Sequence, residues 1–334
     1  MIRYPRINDF NKTKTSTFAG KYVNITEKVH GSNGCFYVKG DGTVRIARRN
    51  GFMEDTERFF EIATKIKEKL LSSMLDVVRE LTKNPEDEVR FYGEIYGGLY
   101  NGATSQDAMR IQISVDYSPN NEFVIFDIVH GERVLPWEDV KDLCKRYKLP
   151  IVPQIFEGMW ENFDPDTVEG LTSKVPSLLH DLTKVSNPAC EGVVIRHDDG
   201  SNSGWGSRCK VKQDWISERP TRIRKKTIPK DDKKALHKLA LSFVNDNRLT
   251  SCLSKNGGPD ILRDRNSWYK LNNELVDDAL TDIQGDGVIE GEVDKDILKG
   301  LKGMAASLIK KRAETLTPDQ EADADSQPRR NNLN

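Results

Sequence analysis

The hydrophobic pattern of this chain changes once, near residue 220, and that change limits the folds available to it. Before that point most apolar residues fall in short alternating or continuous runs, which are typical of β-strands. Two helical patterns interrupt these runs, one from about Asp55 to Leu81 and one from Trp137 to Tyr147. Beyond residue 230 the periodic segments all have helical spacing. This order predicts an α+β domain followed by a small all-α domain.

Seven runs in the first part of the chain predict strands, because they are rich in β-branched and aromatic residues. They are Tyr22–Ile25, Cys35–Val38, Thr43–Ala47, Val89–Tyr96, Glu122–Ile128, Gly192–Arg196 and Arg208–Lys212. Residues 1–20 are polar and irregular, which predicts a loosely packed lead-in. Asp55 or Thr56 would cap the long helix, and Asn84-Pro85 would end it.

A basic segment marks the predicted domain boundary. Between Arg219 and Lys230 six basic residues occur without an acid, and two prolines interrupt the chain. We therefore predict a first domain over residues 1–225 and a helical C-terminal domain over residues 226–316. Residues 317–334 contain almost no apolar side chains and predict a disordered tail.

Composition argues against several classes of protein. Hydrophobic residues make up 37% of the chain and charged residues 31%, as in a soluble globular protein, and the net charge is −1. No apolar run is long enough for a membrane span, and the first residues lack a signal-peptide core. The five cysteines are scattered and form no C-x-x-C pair, which argues against a zinc site or disulfide framework. We expect a cytoplasmic, monomeric protein that does not bind membranes.

The candidate chemistry begins at Lys28-Val29-His30-Gly31, directly after the first predicted strand. A lysine at a strand end, near a glycine that permits a sharp turn, can act as a covalent nucleophile. The same four residues also suit an ordinary surface turn. Lys210 and Lys212 are two residues apart on a predicted strand, so their side chains share one face. They suit either a phosphate site or a solubilising pair.

Six motifs follow one another along the chain in a characteristic order. They are Lys28-Val29-His30-Gly31 with Ser32-Asn33, Ala47-Arg48-Arg49-Asn50-Gly51, Tyr92-Gly93-Glu94, Ile125-Phe126-Asp127-Ile128, Glu191-Gly192-Val193-Val194-Ile195 and Lys210-Val211-Lys212. In this order they resemble the covalent nucleotidyltransferase superfamily of polynucleotide ligases and capping enzymes. More closely they resemble the RNA ligase 2 family, which includes nick-sealing phage RNA ligases and kinetoplastid RNA-editing ligases. His30 stands where DNA ligases and capping enzymes usually have aspartate.

The resemblance implies a fold and a reaction. The fold is an ATP-grasp-like nucleotidyltransferase domain of antiparallel sheets with flanking helices. In the reaction, Lys28 attacks the α-phosphorus of ATP to form a lysyl-AMP intermediate, with Mg²⁺ as the metal and Mn²⁺ as a substitute. The AMP passes to an RNA 5′-phosphate, and a 3′-OH then displaces it to seal the strand, by resemblance at nicks in duplex RNA. A free lysine has a pKa of ~10.4, so the site must favour the neutral amine.

The resemblance also assigns roles to individual residues. Glu94 would bind the ribose and Phe126 would stack on adenine, while Arg49 and Asn33 would lie near the ribose or the reacting ends. The remaining nucleotide-binding positions are Glu27, Val29, Lys210 and Lys212, the last two holding phosphates.

Three further positions complete the predicted site. Glu191 would help to bind the metal, and His30 would contact phosphate or order the loop. Arg196 is a supporting residue and stands where phage relatives have lysine. Thr26 replaces a basic residue found in a phage relative, which weakens the local positive field.

Six basic residues are candidate RNA contacts, because lysine and arginine bind phosphates without regard to sequence. They are Arg222, Arg224, Lys225, Lys226, Arg248 and Lys255. The alternative for the linker residues among them is a solvated segment kept soluble by its charge.

Two alternative functions remain open at this stage. A capping guanylyltransferase or a DNA ligase shares the same core, although these enzymes usually continue into an OB-fold of short strands. A catalytically dead nucleic-acid-binding module would keep the fold without the reaction. A phage or viral origin, inferred from the resemblance, would place the protein in the host cytoplasm.

Overall fold

The computed structural model describes most of the first 316 residues. The ranges outside its description are 11–12, 14, 50, 55–58, 99–108, 113–116, 175–189, 199–204, 206–207, 214–215, 217–232, 290 and 317–334. Contacts between Cα atoms divide the chain into two compact units. The first unit comprises Met1–Arg222 and Thr250–Pro259, and the second comprises Ile223–Leu249 and Asp260–Asn334.

The first unit contains eleven strands among its described residues. They are β1 (Asn8–Asp9), β2 (Tyr22–Lys28), β3 (Ser32–Lys39), β4 (Val44–Arg48), β5 (Gly51–Phe52), β6 (Glu88–Gly97), β7 (Asn121–His130), β8 (Arg133–Val134), β9 (Gln154–Met159), β10 (Gly192–Arg196) and β11 (Arg208–Lys212). The first sheet has the order β1-β11-β10-β2-β9, and the second sheet has the order β5-β4-β3-β6-β7-β8. Neighbouring strands pair antiparallel except for β1 and β11. The α+β prediction is confirmed, and each of the seven predicted strands is present. Gly192–Arg196 and Arg208–Lys212 have the predicted ends, and the other five strands have shifted ends.

The helices of the first unit pack on one face of the second sheet. They are α1 (Lys67–Leu81) and α2 (Trp137–Arg146). The buried residues of α1 are Leu70, Met74, Val77 and Val78, spaced so that they form one stripe. This stripe joins a core cluster with Phe36, Val38, Val89 and Phe91 of the central strands. Short 3₁₀ turns occur at Thr15–Thr17, Trp160–Asn162, Pro165–Val168 and Pro259–Arg263.

The long helix begins later than the sequence predicts. The proposed caps Asp55 and Thr56 lie outside the described residues, and a π-helical turn over Ile62–Ile66 precedes α1. Phe60 and Glu61 have φ angles of 51° and 57°. Phe59, Phe60 and Ile62 are almost completely buried. Their packing in the core stabilises the positive φ angles of Phe60 and Glu61, which are unfavourable for residues other than glycine.

The described residues among the first twenty do not form a loose lead-in, contrary to the prediction. Phe18 is completely buried in the core cluster beneath the first sheet, and β1 pairs with β11 at its edge. The Tyr4 ring packs against Tyr92 and Phe126 of the second sheet. The N-terminal residues are therefore part of the folded unit, because their few aromatic side chains find partners far along the chain.

The described part of the second unit consists of helices and turns. Its helices are α3 (Lys233–Leu241), α5 (Ser267–Gly285) and α6 (Lys295–Thr315). The helix α4 (Asp246–Lys255) contributes residues to both units. None of the helices within the described residues combines the length and apolarity needed to cross a membrane.

Arg248 is buried in the second unit, which corrects its prediction as an RNA contact. Its side chain is completely buried and pairs with Asp278 at 2.5 Å and Asp282 at 2.8 Å. Its Nε also donates to the Phe243 carbonyl at 2.8 Å. Arg248 thus ties α4 to α5 by satisfying two carboxylates, and its guanidinium is not available to a phosphate backbone.

Candidate active site

Lys28 lies where the chain passes from the first sheet to the second. It is the last residue of β2, and Ser32 is the first residue of β3. The crossing requires Gly31, since a Cβ at this position would lie 2.0 Å from the Ile95 carbonyl oxygen and 2.9 Å from Glu94 Cγ. Close approach of the turn to β6 therefore places the end of β2 beside Glu94.

Replacing Gly31 with alanine should displace this turn, because the added methyl group meets backbone and not a movable side chain. We expect the Gly31→Ala protein to lose about 1–3 kcal/mol of unfolding free energy in urea titrations. The matched control is Gly303→Ala on α6, where the surrounding space is open. That change should leave stability unaltered or raise it. Equal stability of the two variants would contradict the proposed tight approach.

Polar side chains from distant parts of the chain hold the backbone of this turn. Tyr117 Oη accepts from the His30 N–H at 3.0 Å. The Gly31 carbonyl accepts from Gln112 Nε2 at 2.9 Å and from Ser254 Oγ at 3.2 Å. Ser32 Oγ donates to the Ser254 carbonyl at 2.8 Å. The sequence analysis assigned no role to Gln112, Tyr117 or Ser254, since none belongs to the six motifs.

Strand pairing brings the two basic motifs together. Gly192 on β10 pairs with Lys28 on one side and with Lys212 on the other. A Cβ at Gly192 would lie 2.0 Å from the Val211 carbonyl oxygen, so a glycine is needed for this close approach. The three strands thus place both lysines beside Glu191, the residue that precedes β10.

Glu191 is the centre of this cluster. Its Oε2 lies 2.7 Å from Lys28 Nζ and 3.4 Å from His30 Nδ1, while its Oε1 lies 3.1 Å from Lys212 Nζ. Burial raises the pKa of the Glu191 carboxyl, but the charges of Lys28 and Lys212 outweigh it and hold the pKa well below its ordinary value. Burial lowers the pKa of His30. The cluster therefore holds an ionised carboxylate between two ammonium groups.

Lys210 has a different partner from Lys212. Its Nζ lies 3.6 Å from the Asp9 carboxylate, and Asp9 and Lys210 are opposite each other in the β1–β11 pair. Both ends of this ion pair are partly exposed. Asp9 had no predicted role, because the contact depends on an N-terminal strand that the sequence pattern did not reveal.

Glu94 lies opposite Asn33 in the β3–β6 pair and beside the Gly31 turn. Burial raises the pKa of Glu94 to about 7, and the neighbouring Glu191 contributes in the same direction. Lys28, Arg49 and the Gly31 N–H oppose this shift. Glu94 is therefore a second acid next to Lys28, and its surroundings favour the ionised carboxylate less than those of Glu191 do.

The raised pKa of Glu94 predicts a pH-dependent loss of stability. Glu94 holds its proton more tightly in the folded state. The stabilisation of the fold that results is complete below about pH 4.5 and disappears as pH rises through about 7. The unfolding free energy of the wild type should fall relative to Glu94→Gln between pH 5 and pH 8, by up to about 3 kcal/mol. Urea titrations of both proteins at several pH values measure this difference. A constant difference would contradict the raised pKa.

Phe126 projects from an irregular position in β7. Tyr92 pairs with Asp127, but the next residue, Gly93, pairs with Ile125, so Phe126 is the extra residue of a β-bulge. Such bulges re-aim a side chain relative to the sheet. The ring is only partly buried. Its backbone carbonyl accepts from Arg196 Nη1 at 3.2 Å.

Behind Phe126, a buried charge network connects the two sheets. Asp127 on β7 is completely buried and pairs with Arg196 of β10 at 3.1 Å and with Arg208 of β11 at 2.5 Å. The Arg196 guanidinium also lies over the Trp137 ring, 4.5 Å from its centroid. Arg196 is 1% exposed, so its charge serves this network and not a solvent-facing phosphate site.

Comparison with known proteins now decides the family. The RNA ligase family model matches residues 21–212, which is more than half of the chain and includes the six motifs. The chain belongs to the RNA ligase family. It is therefore an enzyme of the ligase class, as the motif order predicted.

Individual relatives of this ligase are distant. It is 23% identical to the mitochondrial RNA-editing ligase 2 of Trypanosoma brucei brucei, over 85% of this chain and 83% of the relative. A Naegleria gruberi RNA ligase variant solved with ATP and Mn is 18% identical, with a TM-score of 0.44 over 64% of this chain and 55% of that one. An archaeal ATP-dependent RNA ligase is 15% identical, with a TM-score of 0.45 over 93% of this chain and 65% of that one. The ligase thus spans less than two thirds of the lengths of these two structures.

Two predicted nucleotide-binding residues of the ligase have buried side chains. Glu27 accepts from Ser173 Oγ at 2.6 Å and from the Lys174 N–H at 2.7 Å, and burial raises its pKa to about 6. Val29 belongs to the core cluster of the second sheet. A nucleotide contact by either residue would therefore use backbone atoms.

The predicted RNA contacts of the ligase are only partly described. Arg222, Arg224, Lys225 and Lys226 lie outside the described residues. Lys255 is partly exposed at the end of α4. Arg49 is partly exposed after β4, and its charge acts on Glu94.

Proposed function

We propose that this ligase uses ATP to join RNA 3′-OH and 5′-phosphate ends through a lysyl-AMP intermediate on Lys28. The observation that carries the proposal is the register of β2, β10 and β11. It sets Lys28 and Lys212 on either side of Gly192, with the Glu191 carboxylate between their ammonium groups. Glu94 adjoins this cluster through its electrostatic interaction with Lys28.

In the first step, the Lys28 amine attacks the α-phosphorus of ATP. A nitrogen–phosphorus bond forms, the bond to the pyrophosphate oxygen breaks with its electron pair leaving on pyrophosphate, and the proton of the amine passes to solvent. Attack needs the neutral amine, and Lys28 Nζ lies 2.7 Å from the Glu191 carboxylate. Lys212, which lies 3.1 Å from the same carboxylate, would offset negative charge that builds up on the phosphate.

The donor groups of this site fit a divalent metal held jointly with substrate. No cluster of three or more His, Cys, Asp or Glu residues suited to a metal occurs within the described residues. Glu191 supplies one ionised carboxylate, and Mg²⁺ is commonly bound by one or two carboxylates together with substrate phosphates. We propose Glu191 as the protein ligand for Mg²⁺, with Mn²⁺ as a substitute. When bound, the metal would neutralise phosphate charge and orient the triphosphate.

Other side chains would bind the nucleoside and complete the reaction. Phe126 would stack on adenine from its bulge, and Glu94 would accept hydrogen bonds from the ribose. Arg49 and Asn33 would lie near the ribose or the reacting ends. The AMP would pass from Lys28 to the 5′-phosphate, and the 3′-OH would then displace it. By resemblance, the preferred substrate is a nick in duplex RNA.

The helical part of the chain would form a separate domain. We propose that residues 226–316 make up this domain, because each described segment from residue 233 onward is a helix or a short connection. Within this range, contacts between Cα atoms group Thr250–Pro259 with the first unit. We also propose that the ligase acts as a cytoplasmic monomer. The trypanosome relative is mitochondrial, so location is a point on which the two proteins would differ.

A labelling experiment tests the proposal. The ligase is incubated with Mg²⁺ and ATP labelled at the α-phosphate, and the denatured protein is separated by electrophoresis. We expect one labelled band with α-labelled ATP and none with γ-labelled ATP. Labelling by GTP in place of ATP would instead indicate a capping-type guanylyltransferase. Absence of label with both nucleotides would contradict the proposed mechanism.

A second experiment tests the substrate. The labelled protein is isolated and mixed with nicked duplex RNA, single-stranded RNA or nicked duplex DNA. We expect release of label and sealing with nicked duplex RNA at the highest rate. Faster sealing of nicked DNA would contradict assignment to RNA, and failure on the duplex nick with success on single strands would contradict the nick preference.

A further inference from the structure

The N-terminal residues reach the region proposed to bind the nucleotide base. Residues 2–4, here called the N-terminal strap, cross the face of the second sheet opposite to α1. The Ile2 carbonyl accepts from Tyr37 Oη at 2.8 Å and from Tyr92 Oη at 2.9 Å. These two tyrosines come from neighbouring strands, β3 and β6. The strap is therefore anchored to the sheet before the chain reaches Tyr4.

Tyr4 joins the buried charge network through its hydroxyl group. Tyr4 Oη donates to Asp127 Oδ2 at 2.6 Å and accepts from Arg208 Nη1 at 3.0 Å. Asp127 and Arg208 belong to different sheets, so one hydroxyl bonds to both of them. It supplies the third donor to the Asp127 carboxylate, in addition to the two arginines.

The Tyr4 ring also supports Phe126 directly. The two rings meet edge to face, with centroids 5.0 Å apart at 72°. Tyr92 and Trp205 pack on the same Tyr4 ring at 5.3 Å and 4.9 Å. Tyr4 is thus the central ring of an aromatic cluster to which Phe126 belongs.

The ladder between β6 and β7 leaves Phe126 without a cross-strand partner, although its ring packs partly against core residues of the sheet. As the bulge residue it lies opposite no residue of β6, and its carbonyl is bound by Arg196 instead. Arg196 is in turn positioned by Asp127, to which Tyr4 also donates. Tyr4 therefore acts on Phe126 by two routes, through ring contact and through the Asp127 network.

We propose that Tyr4 is a positioning residue for the nucleotide base, acting through Phe126. The inference rests on the proposed function, in which Phe126 stacks on the adenine of ATP. A base binds more tightly to a ring that is already held in one orientation, because less conformational entropy is lost on binding. Removing Tyr4 should therefore weaken binding of the base while leaving the phosphate side of the site intact.

Equilibrium binding to the Lys28→Ala protein tests this proposal, because that protein cannot form the covalent adduct. Calorimetry is carried out with ATP and, separately, with pyrophosphate. Adding Tyr4→Ala should weaken ATP binding by roughly tenfold, and Tyr4→Phe by roughly threefold. Pyrophosphate has no base, so its affinity should change by less than about twofold. Tyr37→Phe is the control, because Tyr92 still holds the Ile2 carbonyl, and it should leave ATP affinity unchanged.

A double-mutant cycle identifies the route. In a Phe126→Ala background, Tyr4→Ala should have little further effect on ATP affinity, because the group it positions is gone. Equal loss of ATP and pyrophosphate affinity, or an undiminished Tyr4 effect without Phe126, would overturn the proposal. Tyr4→Phe keeps the ring and covers the case in which Tyr4→Ala does not fold. Failure of the Lys28→Ala protein to bind ATP at all would instead count against the proposed function.

Discussion

The Lys28→Ala protein should lose roughly a thousandfold or more of its rate of labelling by α-labelled ATP. Alanine removes the nitrogen that forms the covalent bond, and no neighbouring group replaces it in the proposed step. Lys212 is held on the far side of Glu191 by the register of β10 and β11, so it reaches the cluster from another direction. The measurement is the initial rate of adduct formation at saturating ATP and Mg²⁺.

Two further lysine variants separate the nucleophile from a simple loss of charge. Lys28→Arg keeps a cation beside Glu191 but supplies a guanidinium that is not a nucleophile, so it should be as inactive as alanine. Lys39→Ala removes a lysine from β3 that pairs with Glu86 away from the cluster, and it should label normally. Label that persists in Lys28→Ala would place the nucleophile elsewhere.

The Lys28→Ala protein also tests the steps that follow formation of the lysyl-AMP intermediate. Sealing of RNA that already carries AMP on its 5′-phosphate does not use the lysine nitrogen as a nucleophile. The Lys28→Ala protein should therefore seal such RNA while failing to seal unmodified RNA with ATP. Loss of both reactions would indicate damage to the site as a whole, which the unfolding free energy would then reveal.

Asp127→Ala should give a second large effect, on stability. It removes the only carboxylate bound to both Arg196 and Arg208 among the described contacts, and these side chains are 1% and 3% exposed. Removing one partner of a buried ion pair leaves an uncompensated charge and costs about 3–5 kcal/mol. Urea unfolding of the two proteins at neutral pH measures the loss.

Two comparisons identify the cause of that loss. Asp142→Ala removes an aspartate from an exposed i,i+4 pair with Arg146 on α2, and it should change stability little. Combining Asp127→Ala with Arg196→Met and Arg208→Met removes the stranded charges and should recover part of the lost stability. A loss for Asp127→Ala no larger than for Asp142→Ala would show that the network contributes little.

Local pattern was sufficient for the strands that carry the motifs. The alternating or continuous runs at residues 22–25, 89–96, 122–128 and 192–196 predicted strands that the structure contains, because both faces of these strands are largely buried. The strand β9 was not predicted. It is an edge strand whose residues are half-buried or exposed, so its pairing with β2 leaves little trace in the order of apolar residues.

The sequence did not reveal which charged side chains are buried. Arginine side chains are usually exposed, yet those of Arg196 and Arg248 are both buried and paired with aspartates. The carboxylate partner of Arg196 is 69 residues away along the chain. Spacing along a strand or helix cannot identify such partners, because the contacts are made between elements and not within them.

The sequence by itself determined the family, the α+β class and the identity of Lys28 as the candidate nucleophile. Motif order and strand periodicity can be read directly along the chain, without knowledge of the fold. Only the tertiary structure decided which residues surround Lys28. The pairing of β2, β10 and β11 places Glu191 between two lysines, and the close approach of Gly31 to β6 brings Glu94 beside them. The bulge at Phe126 and the strap at Tyr4 also depend on strands and side chains that meet only in the folded chain, where burial and register set their positions.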